Sequence, residues 1–294
     1  SSDLNIGLAH ARGRYLALYD AEDRPEPDQL RKAVAAFSRV GPKVACLQAK
    51  LNFYNPRQNL LTRWFTAEYA AWFDLALPGL SALGTIIPLG GTSNHFVTAR
   101  LRELRGWDAY NVTEDCDLGV RIARAGYRVL TLDSTTWEEA CSVLPYWISQ
   151  RTRWVKGYMQ TYLVHMRNPF RLLRELGLRD FLAFQILLGG LLFAFLANPI
   201  FWTLALFWLV LRMEALADLF PGFVFLMSAF CLFVGNFLFI YVGAVACYKR
   251  RAYDLVGAAL LAPAYWILMS YSGWRAFFQF FSKPFLWEKT RHGL

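Results

Sequence analysis

Short continuous apolar runs alternate with segments of helical spacing in the first part of the chain. Residues 15–19 are apolar and end at Asp20, which predicts a central strand with a carboxylate at its C-terminal end, the edge where open α/β sheets bind ligands. Residues 29–39 carry apolar positions every three or four residues and are followed by Gly41-Pro42, which predicts a helix. Residues 44–54 predict the next strand.

The alternation continues to about residue 140. Residues 60–77 form an aromatic amphipathic segment, for which helix packing is a better explanation than a sugar-binding platform. A loop at 90–95 leads into a strand at 96–98 and a short helix that ends near Arg105. A second helix begins at 113–115, and residues 127–132 predict another strand. This order of elements indicates an α/β sheet.

Beyond this part the chain has the pattern of a membrane protein. Three runs lack any charged residue, namely 181–211, 219–248 and 255–274. Since about 20 apolar residues cross a bilayer, each run is long enough to span. We expect two full crossings and a re-entrant or interfacial third stretch; four crossings, with the first run split at Pro199, are the alternative.

Composition supports this division. The chain of 294 residues is 56% apolar, and its first 180 residues hold 23 of the 31 basic and 18 of the 22 acidic residues. We therefore expect three parts: a domain at 1–140, interfacial amphipathic helices at 141–180, and a transmembrane region with a cytosolic tail at 181–294. The first residues, which have the pattern of a helix end that leads into a strand, predict a chain that begins inside a domain.

The net charge of +9 changes the expected partners. The basic residues form no arm with interleaved aromatics, which argues against nucleic acid. Seven of them lie between residues 141 and 179, beside the predicted spans, where positive charge marks the cytoplasmic side and attracts anionic lipid headgroups. The five cysteines show no paired spacing and are expected to be reduced.

Three clusters carry candidate chemistry: an acidic turn at 20–23, Thr113-Glu114-Asp115 at a helix start, and Gln150-Arg151-Thr152-Arg153-Trp154 before the first span. Carboxylates suit hard divalent cations, although a solvated acidic turn is commoner. Acids at a helix N-terminus also occur as simple caps. Arginine and tryptophan beside a membrane also serve as headgroup and interface anchors. Both roles are compatible if Arg151 and Lys156 face lipid while the other residues of the cluster face the site.

Together these clusters resemble the DxD, TED and QxxRW motifs of the membrane-embedded family-two glycosyltransferases of the cellulose synthase and hyaluronan synthase type, in the same order. The resemblance covers nearly all of the chain. It implies a cytosolic GT-A (Rossmann-like) α/β domain, followed by interfacial and transmembrane helices. It also implies that the domain lacks its first strands, whose acids bind the donor nucleotide in this family.

The resemblance also implies the roles of individual residues. Asp20 and Glu22 would hold Mg²⁺ or Mn²⁺, although Glu22 stands where the family has Asp and Asp23 is an alternative ligand. Asp115 would be the general base, with Glu114 shaping its turn. The remaining assignments place Asp20, Gln150 and Arg153 at the donor diphosphate, and Trp154, Thr92, Asn94 and His95 at the acceptor.

The function implied is inverting, metal-dependent transfer of a hexose from a UDP-sugar to a growing β-linked polysaccharide at the inner membrane, by a multi-pass enzyme with a cytosolic catalytic domain. A tail containing Trp287 would close over the donor. One alternative is a glycolipid synthase that adds a single sugar to a membrane lipid. Another is a non-catalytic membrane scaffold, against which the three motifs argue. An accessory subunit is left open.

Overall fold

A computed structural model gives the fold, and it describes residues 2–211 and 222–286. The Trp287 tail and the first residues of the run 219–248 lie outside the described residues. The strands are β1 (Tyr15–Leu18), β2 (Arg24–Pro25), β3 (Val44–Phe53), β4 (Asn94–Val97) and β5 (Arg128–Glu138). The helices are α1 (Ser2–His10), α2 (Gln29–Arg39), α3 (Leu60–Ala70), α4 (Leu77–Ala82), α5 (Thr98–Glu103), α6 (Glu114–Arg124), α7 (Leu144–His165), α8 (Pro169–Phe184), α9 (Leu191–Leu211), α10 (Gly222–Phe230), α11 (Asn236–Lys249), α12 (Val256–Leu260) and α13 (Ala262–Ser282).

The five strands form one mixed sheet in the order β1-β4-β3-β5-β2. Only β3 and β5 run parallel, and their register pairs Leu47 with Leu130 and Phe53 with Glu138. The other neighbours are antiparallel. Strand β4, which follows the loop at 90–93, lies between β1 and β3 and is antiparallel to both. Strands β1, β3 and β5 therefore point the same way, and their carboxyl ends lie at one edge of the sheet.

The expectation that residues 15–19 form a central strand is wrong. Within the described residues β1 pairs with β4 alone and lies at the edge of the sheet. An apolar run indicates cover on both faces of a strand but not the number of its hydrogen-bonded neighbours. Here Tyr15 stacks on Phe37 of α2, with ring centroids 4.5 Å apart, so the run is explained by helix packing on the sheet face.

Helix α7 joins the sheet to the apolar helices. Trp147 on α7 is fully buried among Phe53 at the end of β3, Phe65 of α3, and Tyr265 and Met269 of α13. Helix α6 packs on α8 through Val120 and Leu172, and Tyr162 of α7 packs against the same cluster. The sheet and the C-terminal helices thus share packed apolar contacts, and α7 is fixed from both sides.

Among the described residues, one helix is long and apolar enough to cross a membrane. It is the stretch Pro169–Leu204 of 36 residues. Helices α12 and α13 would add a second candidate if their pair, bent by 62°, formed a single span. Large apolar side chains remain exposed on the helices of this part, including Ile186, Phe193, Phe223, Phe237 and Phe239.

Candidate active site

The acidic turn follows β1 directly and is closed by its own side chains. The carboxylate Oδ2 of Asp23 accepts a hydrogen bond from the backbone N–H of Asp20 at 2.8 Å and another from the hydroxyl of Thr92. The other oxygen, Oδ1, is buried with no hydrogen-bond partner within the described part of the chain. Asp23 is therefore partly committed to the turn, while Asp20 still reaches solvent.

Thr92 and His95 are both buried, which does not favour the acceptor role predicted for them. Thr92 Oγ1 also accepts from the backbone N–H of Asp20 at 3.2 Å, so this hydroxyl organises the acidic turn. His95 lies in β4, where Nε2 is 3.0 Å from the hydroxyl of Tyr19 and burial lowers the imidazole pKa. Asn94 donates to the carbonyl of Gly90 at 2.7 Å and holds the loop.

Asp115 lies in the first turn of α6 and is buried, with 8% of its surface exposed. Its Oδ1 accepts a hydrogen bond from the indole N–H of Trp107 at 2.8 Å. A Cβ added at Gly91 would lie 3.8 Å from Oδ2, so this oxygen lies beside the backbone of the loop at 90–93. Trp107 was not predicted from the sequence, because a tryptophan in a turn carries no signal of a carboxylate partner.

The charges of the three predicted clusters act on one another. Burial, and then the charge of Glu114, raise the pKa of Asp115 well above its usual range; Trp107 opposes this and Asp20 adds to it. The pKa of Asp20 is raised to about 6 by reduced solvation and by the charges of Asp23 and Glu22, with Arg153 acting in the opposite direction. The loop at 90–93 contacts the acidic turn through Thr92 and lies beside Asp115 at Gly91. Thr113 lies against Gly157 of α7, the helix that carries Arg153. Parts of the chain that are distant in sequence thus converge.

Gln150, Arg153 and Trp154 all lie on α7, whose start is fixed by the buried Trp147. Burial lowers the pKa of the Arg153 guanidinium, and the negative charges of Glu114 and Asp20 oppose that effect. Gln150 is buried, and its Oε1 has no hydrogen-bond partner among the residues that the structure describes. This oxygen can accept from a ligand at no cost in existing bonds.

Trp154 is only partly buried, and its position depends on Arg151. The Arg151 guanidinium lies 4.6 Å from the Trp154 ring centroid and 4.3 Å from that of Phe65. It donates from Nη1 to Oε1 of Glu68 at 2.8 Å and from Nη2 to Oε2, and Tyr265 donates to the same carboxylate at 2.6 Å. Such an ion pair stacked on aromatic rings fixes geometry.

The interpretation that Arg151 and Lys156 face lipid is therefore wrong. Only 3% of Arg151 and 0% of Lys156 is exposed, and both are satisfied by protein groups. The basic composition of the segment indicated headgroup contact. However, the partner Glu68 lies on a different helix, and sequence spacing gives no sign of that pairing.

A second buried network holds α6 against α7. His165 Nε2 lies 2.9 Å from Asp117 Oδ1, and Arg121 donates to Asp117 Oδ2 at 2.6 Å. Arg124 lies 2.7 Å from His165 Nδ1; since guanidinium can only donate, Nδ1 accepts and Nε2 carries the proton. These contacts orient the helix that carries Glu114 and Asp115.

Glu138, at the end of β5, is a further carboxylate near the acidic turn. Burial, and then the charges of Asp23, Asp20 and Glu22, raise its pKa well above the usual range. Its Oε1 is buried with no hydrogen-bond partner among the described residues. Sequence reasoning missed it, since a single Glu at the end of a strand resembles any solvated residue.

The acidic turn fits a divalent cation in part. Asp20 supplies oxygen, the ligand atom of Mg²⁺ and Mn²⁺, and a cation would offset the repulsion that raises its pKa. The described residues contain no group of three His, Cys, Asp or Glu side chains placed to enclose a metal. A cation there would therefore be held by one or two carboxylates, as Mg²⁺ commonly is beside substrate phosphates.

Comparison with known proteins supports an enzyme of sugar transfer. The family described as Glycosyl transferase family group 2 matches residues 15–242. A mannosyltransferase from Pyrobaculum calidifontis, solved in complex with GDP-mannose and Mn²⁺, has the same fold, with a TM-score of 0.50 over 94% of this chain and 64% of its own, at 19% sequence identity.

Curated relatives include two kinds of enzyme. A glucomannan 4-beta-mannosyltransferase from Arabidopsis thaliana is 31% identical over 49% of this chain and 27% of its own length. A beta-monoglucosyldiacylglycerol synthase from Synechocystis is 30% identical over 64% of this chain and 40% of its own. A probable glycosyltransferase from Bacillus subtilis is 28% identical over 60% and 42%. The chain thus spans less than half the length of these relatives.

Proposed function

Because the chain belongs to glycosyl transferase family group 2 and has the GT-A-like fold, we propose that it transfers a hexose with inversion from a nucleotide-diphosphate sugar to a β-linked glycan. One observation carries this proposal. The acidic turn, the start of α6 and helix α7 meet at one place. The loop at 90–93 contacts the acidic turn through Thr92 and lies beside Asp115, and Thr113 lies against Gly157 of α7. Sugar transfer needs a cationic group that binds the diphosphate close to a proton acceptor, and Arg153 and Asp115 are proposed for these two roles.

Asp115 is the proposed general base. An acceptor hydroxyl is a poor nucleophile at neutral pH, and a positioned carboxylate that takes its proton typically accelerates such a step by about 10² to 10⁴-fold. The raised pKa of Asp115 makes it a stronger base than an ordinary carboxylate. Trp107 holds Oδ1, so Oδ2, beside Gly91, is the oxygen that receives the proton.

Arg153 is the proposed ligand of the donor diphosphate. The guanidinium offers a planar set of donors to phosphate oxygens. Gln150 is the proposed ligand of a hydroxyl elsewhere on the donor, because its Oε1, which has no partner among the described residues, can only accept. Asp20 and Glu22 would hold Mg²⁺ or Mn²⁺, which supplies neutralisation of charge on the departing diphosphate. Mn²⁺ and GDP-mannose occur together in the solved Pyrobaculum enzyme, which supports a metal and leaves the nucleotide open between GDP and the UDP predicted from sequence.

The acceptor is the second open choice. The Arabidopsis relative supports a β-linked polysaccharide. The proposed role of Trp154 is then to stack beneath an acceptor sugar ring. The Synechocystis relative supports the alternative of one sugar added to a diacylglycerol lipid, and its match covers more of this chain. Product length distinguishes the two: a ladder of oligomers supports the polymer, and a single chloroform-soluble product supports the glycolipid.

We propose that the enzyme acts at the inner membrane, as a multi-pass protein with its catalytic domain in the cytosol. The helix Pro169–Leu204 and the exposed apolar side chains of α9 to α11 support membrane contact. Arg167, Arg171 and Arg174 precede the apolar part of that helix, as expected of a cytoplasmic boundary.

The deciding experiment is a donor panel. Membranes that contain the full-length protein are incubated with UDP- and GDP-hexoses labelled in the sugar, with Mg²⁺ or Mn²⁺, and products are separated by size and by lipid solubility. Transfer from at least one donor, abolished by Asp115→Asn, is the expected result. Absence of transfer from every donor would refute the proposal, and transfer retained by Asp115→Asn would remove that residue as the base.

A further inference from the structure

The side chain of Gln160 on α7 makes two hydrogen bonds, one as an acceptor and one as a donor. Its Oε1 accepts from the backbone N–H of Val112 at 3.1 Å, and its Nε2 donates to the carbonyl of Pro284 at 3.0 Å. A backbone N–H can only donate and a carbonyl can only accept, so both partners fix the same orientation of the amide. Gln160 is buried, which makes each of these bonds costly to lose.

One partner belongs to the loop that leads into α6. Val112 is three residues before Asp115. Its neighbour Asn111 donates to Thr161 Oγ1 at 2.8 Å and accepts from the backbone N–H of Thr113 at 2.9 Å. The loop, residues 108–113, is therefore held against α7 by Gln160 and by its neighbour Thr161.

The other partner belongs to the C-terminal segment, residues 283–286, which follows α13. Lys156, one turn before Gln160, donates from Nζ to the carbonyl of Leu286 at 2.7 Å and to that of Lys283 at 3.2 Å. The ring of Phe285 lies edge-on to Tyr110 of the loop, with centroids 6.3 Å apart. The C-terminal segment therefore contacts both α7 and the loop.

Helix α7 also approaches the loop too closely for a side chain. A Cβ added at Gly157 would lie 2.2 Å from Thr113 Oγ1. Contact between the Gly157 backbone and the Thr113 side chain sets the separation here, and Gln160 is the side chain that then links the loop to the C-terminal segment.

We propose that Gln160 is a positioning residue for sugar transfer, which fixes Glu114 and Asp115 by tying the loop 108–113 to the C-terminal segment. The inference rests on the proposed function, because it takes Asp115 as the proton acceptor. Its consequence is that a change at the C-terminal segment alters the chemical step more than the binding of the nucleotide sugar.

The test uses Gln160→Glu in the full-length protein. The carboxylate keeps an acceptor for Val112 but has no N–H for Pro284, and it faces that carbonyl oxygen with a like charge. We expect kcat to fall on the order of tenfold, since small displacements of reacting groups cost that much or more. The KM for the nucleotide sugar is expected to stay within about twofold, as for an interaction needed in the transition state. Gln58→Glu, the same change at an exposed position, is the matched control.

Hydrogen–deuterium exchange gives a readout that needs no activity. Peptides covering 108–117 are expected to exchange faster in Gln160→Glu than in wild type or Gln58→Glu, and faster also in Lys156→Met, which removes the other anchor of the segment. Unchanged exchange, a uniform rise over the whole protein, or a fall in kcat without a local change would overturn the inference. Failure of wild type to transfer any sugar would instead refute the proposed function. Hydrogen–deuterium exchange would still test whether Gln160 ties the loop 108–113 to the C-terminal segment.

Discussion

The indole N–H of Trp107 donates to Oδ1 of Asp115 at 2.8 Å, and this bond stabilises the charged form of a carboxylate that is otherwise buried against a second acid. Glu114, the adjacent residue, acts in the opposite sense by raising the pKa of Asp115. Trp107 and Glu114 therefore shift the pKa of Asp115 in opposite directions, and each can be substituted separately.

Trp107→Phe and Glu114→Gln are expected to shift the pH dependence of transfer in opposite directions. A base works only when deprotonated, so activity is lost as pH falls through the pKa of Asp115. Loss of the indole hydrogen bond raises that pKa and moves the acidic limb of kcat/KM to higher pH, while loss of the Glu114 charge moves it to lower pH. Profiles of kcat/KM against pH measure both; two shifts of the same sign would contradict the assignment.

Asp115→Asn is expected to reduce kcat by about 10² to 10⁴-fold, because it removes the proton acceptor and keeps the shape of the side chain. Binding of the nucleotide diphosphate, measured by calorimetry, is expected to change little. A variant that loses diphosphate affinity in proportion to kcat would assign Asp115 to the donor instead.

Removal of divalent metal by EDTA is expected to abolish transfer, and Mg²⁺ or Mn²⁺ to restore it. Asp20→Asn is expected to raise the metal concentration needed for half-maximal activity, since this residue supplies a proposed ligand oxygen. Asp3→Asn, at an exposed position, is the control. Metal titrations of initial rate measure the effect; transfer that persists in EDTA would rule out the metal role of the acidic turn.

Trp154→Ala is expected to raise the acceptor KM more than the donor KM. Arg151→Lys is expected to do the same to a smaller extent, because lysine keeps the charge and loses the paired bonds to Glu68 and the stacking on Trp154. Steady-state kinetics with each substrate varied in turn separate the two effects. Equal increases in the KM of donor and acceptor would count against stacking of Trp154 on an acceptor sugar.

Asp117→Asn is expected to destabilise the fold by about 3 kcal/mol at neutral pH, because it leaves buried partners of a charge unpaired. Burial alone would raise the pKa of Asp117, but the hydrogen bond from His165 and the charge of Arg121 outweigh it and lower the pKa. A lowered pKa stabilises the folded state above the unfolded value of about 4, and this stability is lost as pH falls through the folded value. Denaturant unfolding at several pH values should therefore show the difference from wild type shrinking in acid.

Sequence was sufficient for elements whose cause is local. Helix α2 begins and ends where its apolar spacing and Gly41-Pro42 predict, and β3 ends within one residue of its prediction. The three clusters were found because their residue types are rare together. The edge position of β1 could not be found in this way, since apolar runs do not reveal which strand pairs with which.

The partners of the site residues were beyond sequence reasoning for the same reason. The position of the Arg151 side chain is set by its ion pair with Glu68 on another helix. One carboxylate oxygen of Asp115 is held by Trp107, which lies in a turn. Whether a basic side chain contacts lipid or a buried carboxylate depends on tertiary contacts, and the composition of a segment contains no information about them. The predicted roles of Gln150, Arg153 and Trp154 remain predictions for the experiments above.

Gly157 shows how little tolerance the site has. With Thr113 Oγ1 only 2.2 Å from where a Cβ would lie, even one added methyl group would act as a wedge between the helix bearing Arg153 and the turn bearing Asp115. The separation between Arg153, the proposed ligand of the leaving diphosphate, and Asp115, the proposed base, is therefore set by contact between the Gly157 backbone and the Thr113 side chain. Evolution of new sugar preferences in this scaffold would have to leave that spacing alone and vary the walls around it.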